Sequence, residues 1–474
     1  MMDGHTKPEI QASTYDRAAC QIGVVHLGFG AFHRAHQAVY LDAYMQQTGD
    51  LRWGIAAVNL RASESEAFAS TAAEIADFGG YYMKAISPKN DEVVSQIRAH
   101  ISFADWAKET SAAQSLLSLD TVSLVTITVT ESGYYCDPQG NLDLSHPVIA
   151  AELSGTSQET IYAYLRAALT QRQAELGQPI TIACCDNIRQ NGKMLERNLH
   201  AYLMAAGDEA LAQWVVDNAA FPCSMVDRIT PRSPKSLAVE LSDLLNSAVV
   251  SPILCEDYLQ WVLSDKAAAD MPDLAKVGVT VTADVDPFEE TKIRVLNGGH
   301  TALAYLAALE GLTTFDEAMR HPELRSHFDK FEQEEVLPAL TLELPFDKDS
   351  YQDKTAQRFS NQAIGDTVAR ICADGMAKFP IFIRPTLEGC FAQGIVPHHA
   401  IRSIASWYVF ARHVAAGHIS FTYIEPSWDE LQAMLGTTAF HHSEQLWGTI
   451  PSAYPDFITL LQQEIAHLEE KWPV

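Results

Sequence analysis

Short apolar runs rich in β-branched residues alternate with stretches of helical spacing over the amino-terminal part of the chain. Residues 22–27 (IGVVHL), 53–60 (WGIAAVNL), 123–129 (SLVTITV) and 180–184 (ITIAC) read as strands buried on both faces. Residues 32–44 carry apolar positions at Ala35, Val39, Ala43 and Tyr44, and residues 160–176 (TIYAYLRAALTQRQAEL) form a long amphipathic pattern, so both predict helices. Strands alternating with helices predict a mostly parallel, doubly wound α/β sheet. Residues 221–232 are rich in turn formers, and residues 277–285 give a last β stretch. Beyond it helical periodicity dominates, over residues 301–309, 322–336, 361–372, 400–416 and 452–471. The expected organisation is an α/β domain over residues 1–284 and a mainly α-helical domain over residues 285–474.

The first strand stops at Gly28-Phe29-Gly30 and a helix follows at once. Such a junction lets backbone N–H groups and the positive helix end approach a pyrophosphate, with Gly28 making the turn and Gly30 permitting close contact. Where G-x-G-x-x-G would end in glycine, His33 stands instead, so the fingerprint is incomplete and a glycine turn without a ligand is the alternative. Gly28, Phe29, Gly30, Phe32, His33 and Arg34 are the candidate cofactor-binding residues of this turn. Past the second strand, Glu64 is the nearest acid able to hydrogen-bond the adenosine ribose of NAD, although it lies further along than the usual ~20 residues. Arg61 close by would instead accept the 2′-phosphate of NADP, and a solvated loop accounts for both residues equally well. The third and fourth strands run into TESGYY and CDNIRQNG, which place Glu131 and Asn187 at the carboxyl edge, where open α/β sheets bind ligands.

One later segment carries the densest chemistry. In residues 287–306 (PFEETKIRVLNGGHTALAYL), Glu289, Lys292, Asn297 and His300 fall within an arc of about 140° at 3.6 residues per turn. Apolar residues are spread around the circumference, some inside that arc and some opposite it, as in a helix buried on most sides. Burial disfavours an ammonium ion, which is how a lysine becomes a proton acceptor near neutral pH. Asn297 supplies an amide donor for a carbonyl or alkoxide oxygen, and His300 can hold a hydroxyl. That set equips the segment to oxidise a secondary alcohol. The competing reading is an amphipathic surface helix with Lys292 and Glu289 paired at i, i+3.

Composition narrows the partners. The 33 Lys+Arg against 60 Asp+Glu give a formal charge of −27, which argues against nucleic acid. No apolar run approaches the ~20 residues of a membrane span, and the leading MMDGHTKPEIQAS lacks the order of a signal peptide, so a cytoplasmic protein is expected. Eight scattered cysteines include no C-x2-C pair and are expected as reduced thiols. Among seventeen histidines there is neither H-E-x-x-H nor a set with zinc spacing, so no catalytic metal is expected.

Six segments taken together resemble a known family. GFGAFHRAHQAVYLD (28–42), TVTESGYY (128–135), CDNIRQNG (185–192), MVDRITPR (225–232), KIRVLNGGH (292–300) and DGMAKFP (374–380) are similar in kind and order to the polyol-specific long-chain dehydrogenases, the mannitol dehydrogenase family. The resemblance runs from about residue 20 to the carboxyl terminus. It implies a Rossmann-type amino-terminal domain, a mainly helical carboxyl-terminal domain and metal-independent, NAD-dependent hydride transfer in the cleft between them. It further implies Lys292 as general base, Asn297 and Asn187 as oxyanion donors, His300 as a substrate-holding group and Glu289 on the proton's exit route. Asp227, Arg370 and Lys378 are implied as contacts to substrate hydroxyls, with structural ion pairs as the alternative for these three. A small polyol or ketose is the implied partner, for a monomer or small homo-oligomer. Residues 378–387 (KFPIFIRPTL) and the aromatic segment 406–423 lean toward the D-arabinitol-oxidising members. Mannitol 2-dehydrogenases and hexuronate reductases are the alternatives within the family. A nucleotide-binding module without activity is the alternative outside it, and the intact Lys292, Asn297 and His300 argue against that.

Overall fold

The four apolar runs expected as buried strands lie side by side in one parallel sheet. In the computed structural model, residues 10–137, 139–344 and 346–474 are described, so the leading nonapeptide and its expected lack of a signal peptide fall outside them. The sheet comprises β1 (Ile22–Leu27), β2 (Gly54–Asn59), β3 (His100–Asp105), β4 (Leu124–Ile127), β5 (Ile180–Cys184) and β6 (Ala219–Ala220), in the order β3-β2-β1-β4-β5-β6. All neighbours are parallel, and the order reverses beside β1, as in a Rossmann-type sheet. Strand periodicity explains the two-sided burial. Val24, Ile55 and Leu124 pack on one side with Leu41 and Met45, while Val25, Ala56 and Val125 pack on the other with Leu165 and Leu169.

The helix expected over residues 32–44 is two, α1 (Ala31–Ala35) and α2 (Gln37–Thr48), broken at His36 with φ −127° and ψ −90°. Two smaller sheets were not expected from the pattern. One orders Ile10–Ala12, Glu92–Ile97, Tyr81–Ile86 and Ile253–Glu256, the middle two antiparallel. The other joins Ser224–Asp227, Gln260–Ser264 and Thr280–Thr282. The turn-rich stretch 221–232 thus contains a strand, because Met225 and Val226 are buried between the flanking prolines.

The chain divides into two compact units, one ending at Asp286 and one comprising Pro287–Val474 with Pro88–Asn90. The second is built around α3 (Gly298–Leu309), whose Thr301–Ala308 are all buried. Around it pack α4 (Pro322–Lys330) and α5 (His398–Ala415), and α6 (Asp456–Lys471) lies against α5. Two segments depart from the α-helices expected of them. Lys292–Asn297 and Phe331–Val336 are π-helical turns, with i→i+5 bonding. Gly299 lets α3 come close to the second of these. A Cβ at Gly299 would stand 2.7 Å from the Phe328 ring and 2.9 Å from Glu332 Oε1. Gly299→Ala is therefore expected to cost about 1–3 kcal/mol by overpacking, measured as a lower unfolding midpoint in urea. An unchanged midpoint would show that this approach is not tight.

Candidate active site

The first unit contributes a glycine turn. Gly28 has φ +93°, and a Cβ there would lie 2.0 Å from the Thr128 carbonyl oxygen, so no other residue fits. Gly30 differs. It precedes α1 with no side chain taking the cap, and a Cβ on it would meet nothing within 4 Å. An open backbone at the start of a helix beside the sheet's switch point suits the pyrophosphate of a dinucleotide. Phe29 packs edge-on against Phe68, His100 and Phe103, and Phe32 stacks on His36. His33 and Arg34, expected as cofactor contacts, are turned inward because α1 packs its side chains on the sheet. His33 is fully enclosed, bonded to Gln37 at 3.2 Å and His100 at 2.9 Å. The Arg34 guanidinium lies over Phe29 and Tyr81 and donates to the Ser251 carbonyl at 3.0 Å.

Past β2, Arg61 and Glu64 are both exposed and stand 3.9 Å apart. Glu131 begins a short 3-10 turn (Glu131–Tyr134) past β4 and is exposed. The next strand end holds a residue that the sequence reading passed over. Asp186 accepts from the Val129 and Thr130 amides at 2.8 and 3.1 Å and from the Tyr134 hydroxyl at 2.7 Å. It thereby ties the loop after β4 to the end of β5. Burial pushes its carboxyl up to about 6 against the downward pull of these bonds. A charged residue directly after a buried strand was the available signal. Asn187, next in the chain, is exposed at this carboxyl edge, and Asp227 closes the strand Ser224–Asp227, buried opposite Gln260.

The second unit contributes the helical segment. Lys292 is buried, with 7% of its surface exposed, at the start of the π turn that Asn297 ends. With i→i+5 bonding, residues five apart come nearly into line, tighter than the 140° arc drawn for an α-helix. The Asn297 side-chain oxygen is buried and has no hydrogen-bond partner among the described residues. Glu289, half-buried, lies three residues before Lys292 on the helix Asp286–Thr291. The His300 ring stacks on Phe359 at 3.8 Å and meets the edge of Phe315 at 4.6 Å. Burial drives its pKa well down, and the charges of Arg370, Arg358 and Lys378 add to the effect. Arg370 and Lys378, expected as contacts to substrate hydroxyls, lie within electrostatic reach of His300. Arg358 joins them without any motif to announce it. Arg370 pairs with Asp366, and Lys378 donates to the Ile371 carbonyl at 2.9 Å. Among the described residues, no group of three or more His, Cys, Asp and Glu side chains is arranged to hold a metal.

The mannitol dehydrogenase Rossmann domain matches residues 22–276, and the mannitol dehydrogenase C-terminal domain matches residues 284–447. The chain belongs to the mannitol dehydrogenase family. Family relatives include D-arabinitol 4-dehydrogenase of Ralstonia nicotianae, 34% identical over 90% of this chain and 92% of the relative. Mannitol 2-dehydrogenase of Cereibacter sphaeroides is 35% identical over 88% of this chain and 87% of its own length. The family fold is seen in the ternary complex of Pseudomonas fluorescens mannitol 2-dehydrogenase with NAD and D-mannitol, which is 32% identical with a TM-score of 0.86 over 98% of this chain and 95% of that one. No helix among the described residues is long and apolar enough to cross a membrane.

Asp186 gives this site a stability test. Asp186→Ala strands two backbone amides and the Tyr134 hydroxyl, so we expect a loss of roughly 1–3 kcal/mol in urea unfolding. A change under 0.5 kcal/mol, the ~0.5 kcal/mol scatter of surface substitutions, would mean that solvent replaces the carboxylate.

Proposed function

We propose that the chain oxidises a secondary hydroxyl of a sugar alcohol to the corresponding ketose with NAD, without a metal, and that D-arabinitol is the preferred polyol. The observation that carries this reading is the π turn. It aligns a buried lysine with an asparagine whose NH2 group can donate to a substrate oxygen. Gly28 and Gly30, with Glu64 and Glu131 at the neighbouring strand ends, hold the dinucleotide. When bound, the nicotinamide takes up the hydrogen of the carbinol carbon with its electron pair. Lys292, whose burial disfavours an ammonium ion, removes the hydroxyl proton, and Glu289 passes it toward solvent. The Asn297 and Asn187 amides donate to the oxygen as negative charge develops there. His300 stays neutral, so it serves as a hydrogen-bonding partner for a hydroxyl and not as a charge. Asp227, Arg370 and Lys378 bind the remaining hydroxyls.

Relatives named for D-arabinitol and for D-mannitol are about equally similar, so overall identity does not choose between them. The lean to D-arabinitol rests on residues 378–387 and 406–423. Nicotinamide absorbance with D-arabinitol, D-mannitol, sorbitol, xylitol and ribitol tests it, and a higher kcat/KM with mannitol would replace D-arabinitol. One observation favours a second reading, reduction of a hexuronate. Arg358, Arg370 and Lys378 form a cationic set near His300 that suits a substrate carboxylate. Turnover of fructuronate above that of any polyol would establish it.

Lys292→Ala is expected to lower kcat at least ~10²-fold with NAD affinity nearly unchanged, and a small added amine should restore part of the turnover. Asn297→Ala should cost ~10²-fold or more without amine rescue, since an oxyanion donor is lost and not a base. Near-parental kcat in Lys292→Ala would remove the mechanism. The acid at Glu64 should repel a 2′-phosphate, so Glu64→Lys should raise kcat/KM with NADP relative to NAD. An unchanged ratio would reassign that role.

A further inference from the structure

Under the glycine turn lies a set of buried histidines that the reaction does not use. His26, on β1, sends Nε2–H to the Gly28 carbonyl at 2.7 Å and takes a bond from the Thr126 hydroxyl at Nδ1, 2.8 Å away. Its ring lies flat on that of His33 from α1, with centroids 3.2 Å apart and planes within 9°. The stack therefore joins the strand to the helix across Gly28–Gly30. From His33 a chain of bonds continues in both directions, and every proton in it has a determined place. The Gln260 carbonyl is 2.8 Å from His36 Nε2, so that nitrogen carries the hydrogen and His36 Nδ1 accepts from the Gln37 amide at 3.0 Å. The Gln37 oxygen then faces His33 Nδ1 at 3.2 Å, which must donate. His33 Nε2 is left as an acceptor for His100 Nε2–H at 2.9 Å, and His100 Nδ1 ends the chain as a bare, buried nitrogen. Turning the Gln37 amide round would set its oxygen against His36 Nδ1, which would then need a second proton on a buried ring. Burial holds His26, His33 and His100 well below their ordinary pKa, in accord with three neutral rings.

We propose that His26, His33, His36 and His100, with Gln37, are positioning residues for the dinucleotide: a one-directional chain of hydrogen bonds from His100 through His33 and Gln37 to His36, with His26 stacked on His33 and bonded to Gly28, locks the glycine turn at the angle the cofactor needs. Neutral imidazole is the side chain suited to this, since it donates at one nitrogen, accepts at the other and stacks flat. The role rests on the NAD-dependent reading above. It predicts an effect on binding and not on chemistry, because none of these side chains reaches the reacting atoms.

His100→Phe keeps the ring packed among Phe29, Phe103 and Tyr81 but removes the donor to His33. The Kd for NAD, measured by quenching of protein fluorescence, should rise about tenfold, one hydrogen bond's worth, with kcat at saturating NAD within about twofold of the parent. His100→Gln restores an N–H near the same place and should return the affinity to within about twofold. Parental affinity in His100→Phe, or a fall in kcat at unchanged affinity, overturns the proposal. Should that variant fail to fold, long-range ¹H–¹⁵N spectra of the parent protein decide. The expected tautomers are Nδ1–H at His33 and Nε2–H at His26, His36 and His100, and a reversed or doubly protonated ring breaks the chain. A parent protein that binds no NAD would instead sink the functional reading.

Discussion

A polar group carried into a protein interior finds a partner or costs roughly 1–3 kcal/mol, and the layout of this chain follows from that requirement. At the strand ends it is met with economy. One carboxylate, Asp186, satisfies two loop amides and a tyrosine. One guanidinium, Arg172, takes the carbonyls of Leu117, Gln178 and Pro179 and so closes two loops on one edge of the sheet. The histidines under the glycine turn do the same for donors and acceptors in alternation. Some buried side-chain atoms among the described residues leave the requirement unmet. Asn297 Oδ1 is such an atom, and both oxygens of Glu332, next to Gly299, are another case. Burial drives the Glu332 carboxyl well above the usual range, which disfavours a charge beside Gly299.

The parallel sheet was legible because its strands are buried on both faces, which writes them as unbroken apolar runs. β1 and β5 begin and end where the pattern does. Strands with one exposed face or few residues were not legible. β3 reads HISFAD and Glu92–Ile97 reads EVVSQI, with polar residues at positions that a partner strand covers. Pairing made at long range, as between Tyr81–Ile86 and Ile253–Glu256, leaves no local signature at all. The break at His36 was hidden for a different reason: apolar spacing continues through it, and the His36 ring is bonded to the Gln260 carbonyl far along the chain.

The site divides in the same way. Lys292, Asn297 and His300 are near in sequence and carry their chemistry openly. Arg370 and Lys378 entered through the family resemblance alone, and their nearness to His300 is a product of packing. Arg358 and Asp186 belong to neither class, since each is an ordinary charged residue until its neighbours are known. His33 and Arg34 show the converse. They follow the glycines in sequence, yet the helix that follows a turn shows only part of its face to a ligand, and these two side chains lie on the covered part.

The spacing K-x4-N-x2-H acquires a physical meaning from the backbone. Five residues is the repeat of π-helical bonding, and three is the spacing of neighbours on an α-helix. An α-helix throughout would set Lys292 and Asn297 about 140° apart at 100° per residue. A π turn from Lys292 to Asn297, followed by α geometry through His300, draws base, amide and imidazole toward one line. The two glycines after Asn297 then serve the change of geometry. Without side chains, Gly298 and Gly299 let the helix approach the Phe382 carbonyl and the Phe328 ring just where the backbone returns to α. The motif N-G-G-H is in this sense a statement about helix packing as much as about catalysis. The wider ring of a π turn is less stable than the α form, so tertiary contacts have to hold it, and a buried lysine and an under-bonded amide at its two ends are the groups the proposed reaction would use.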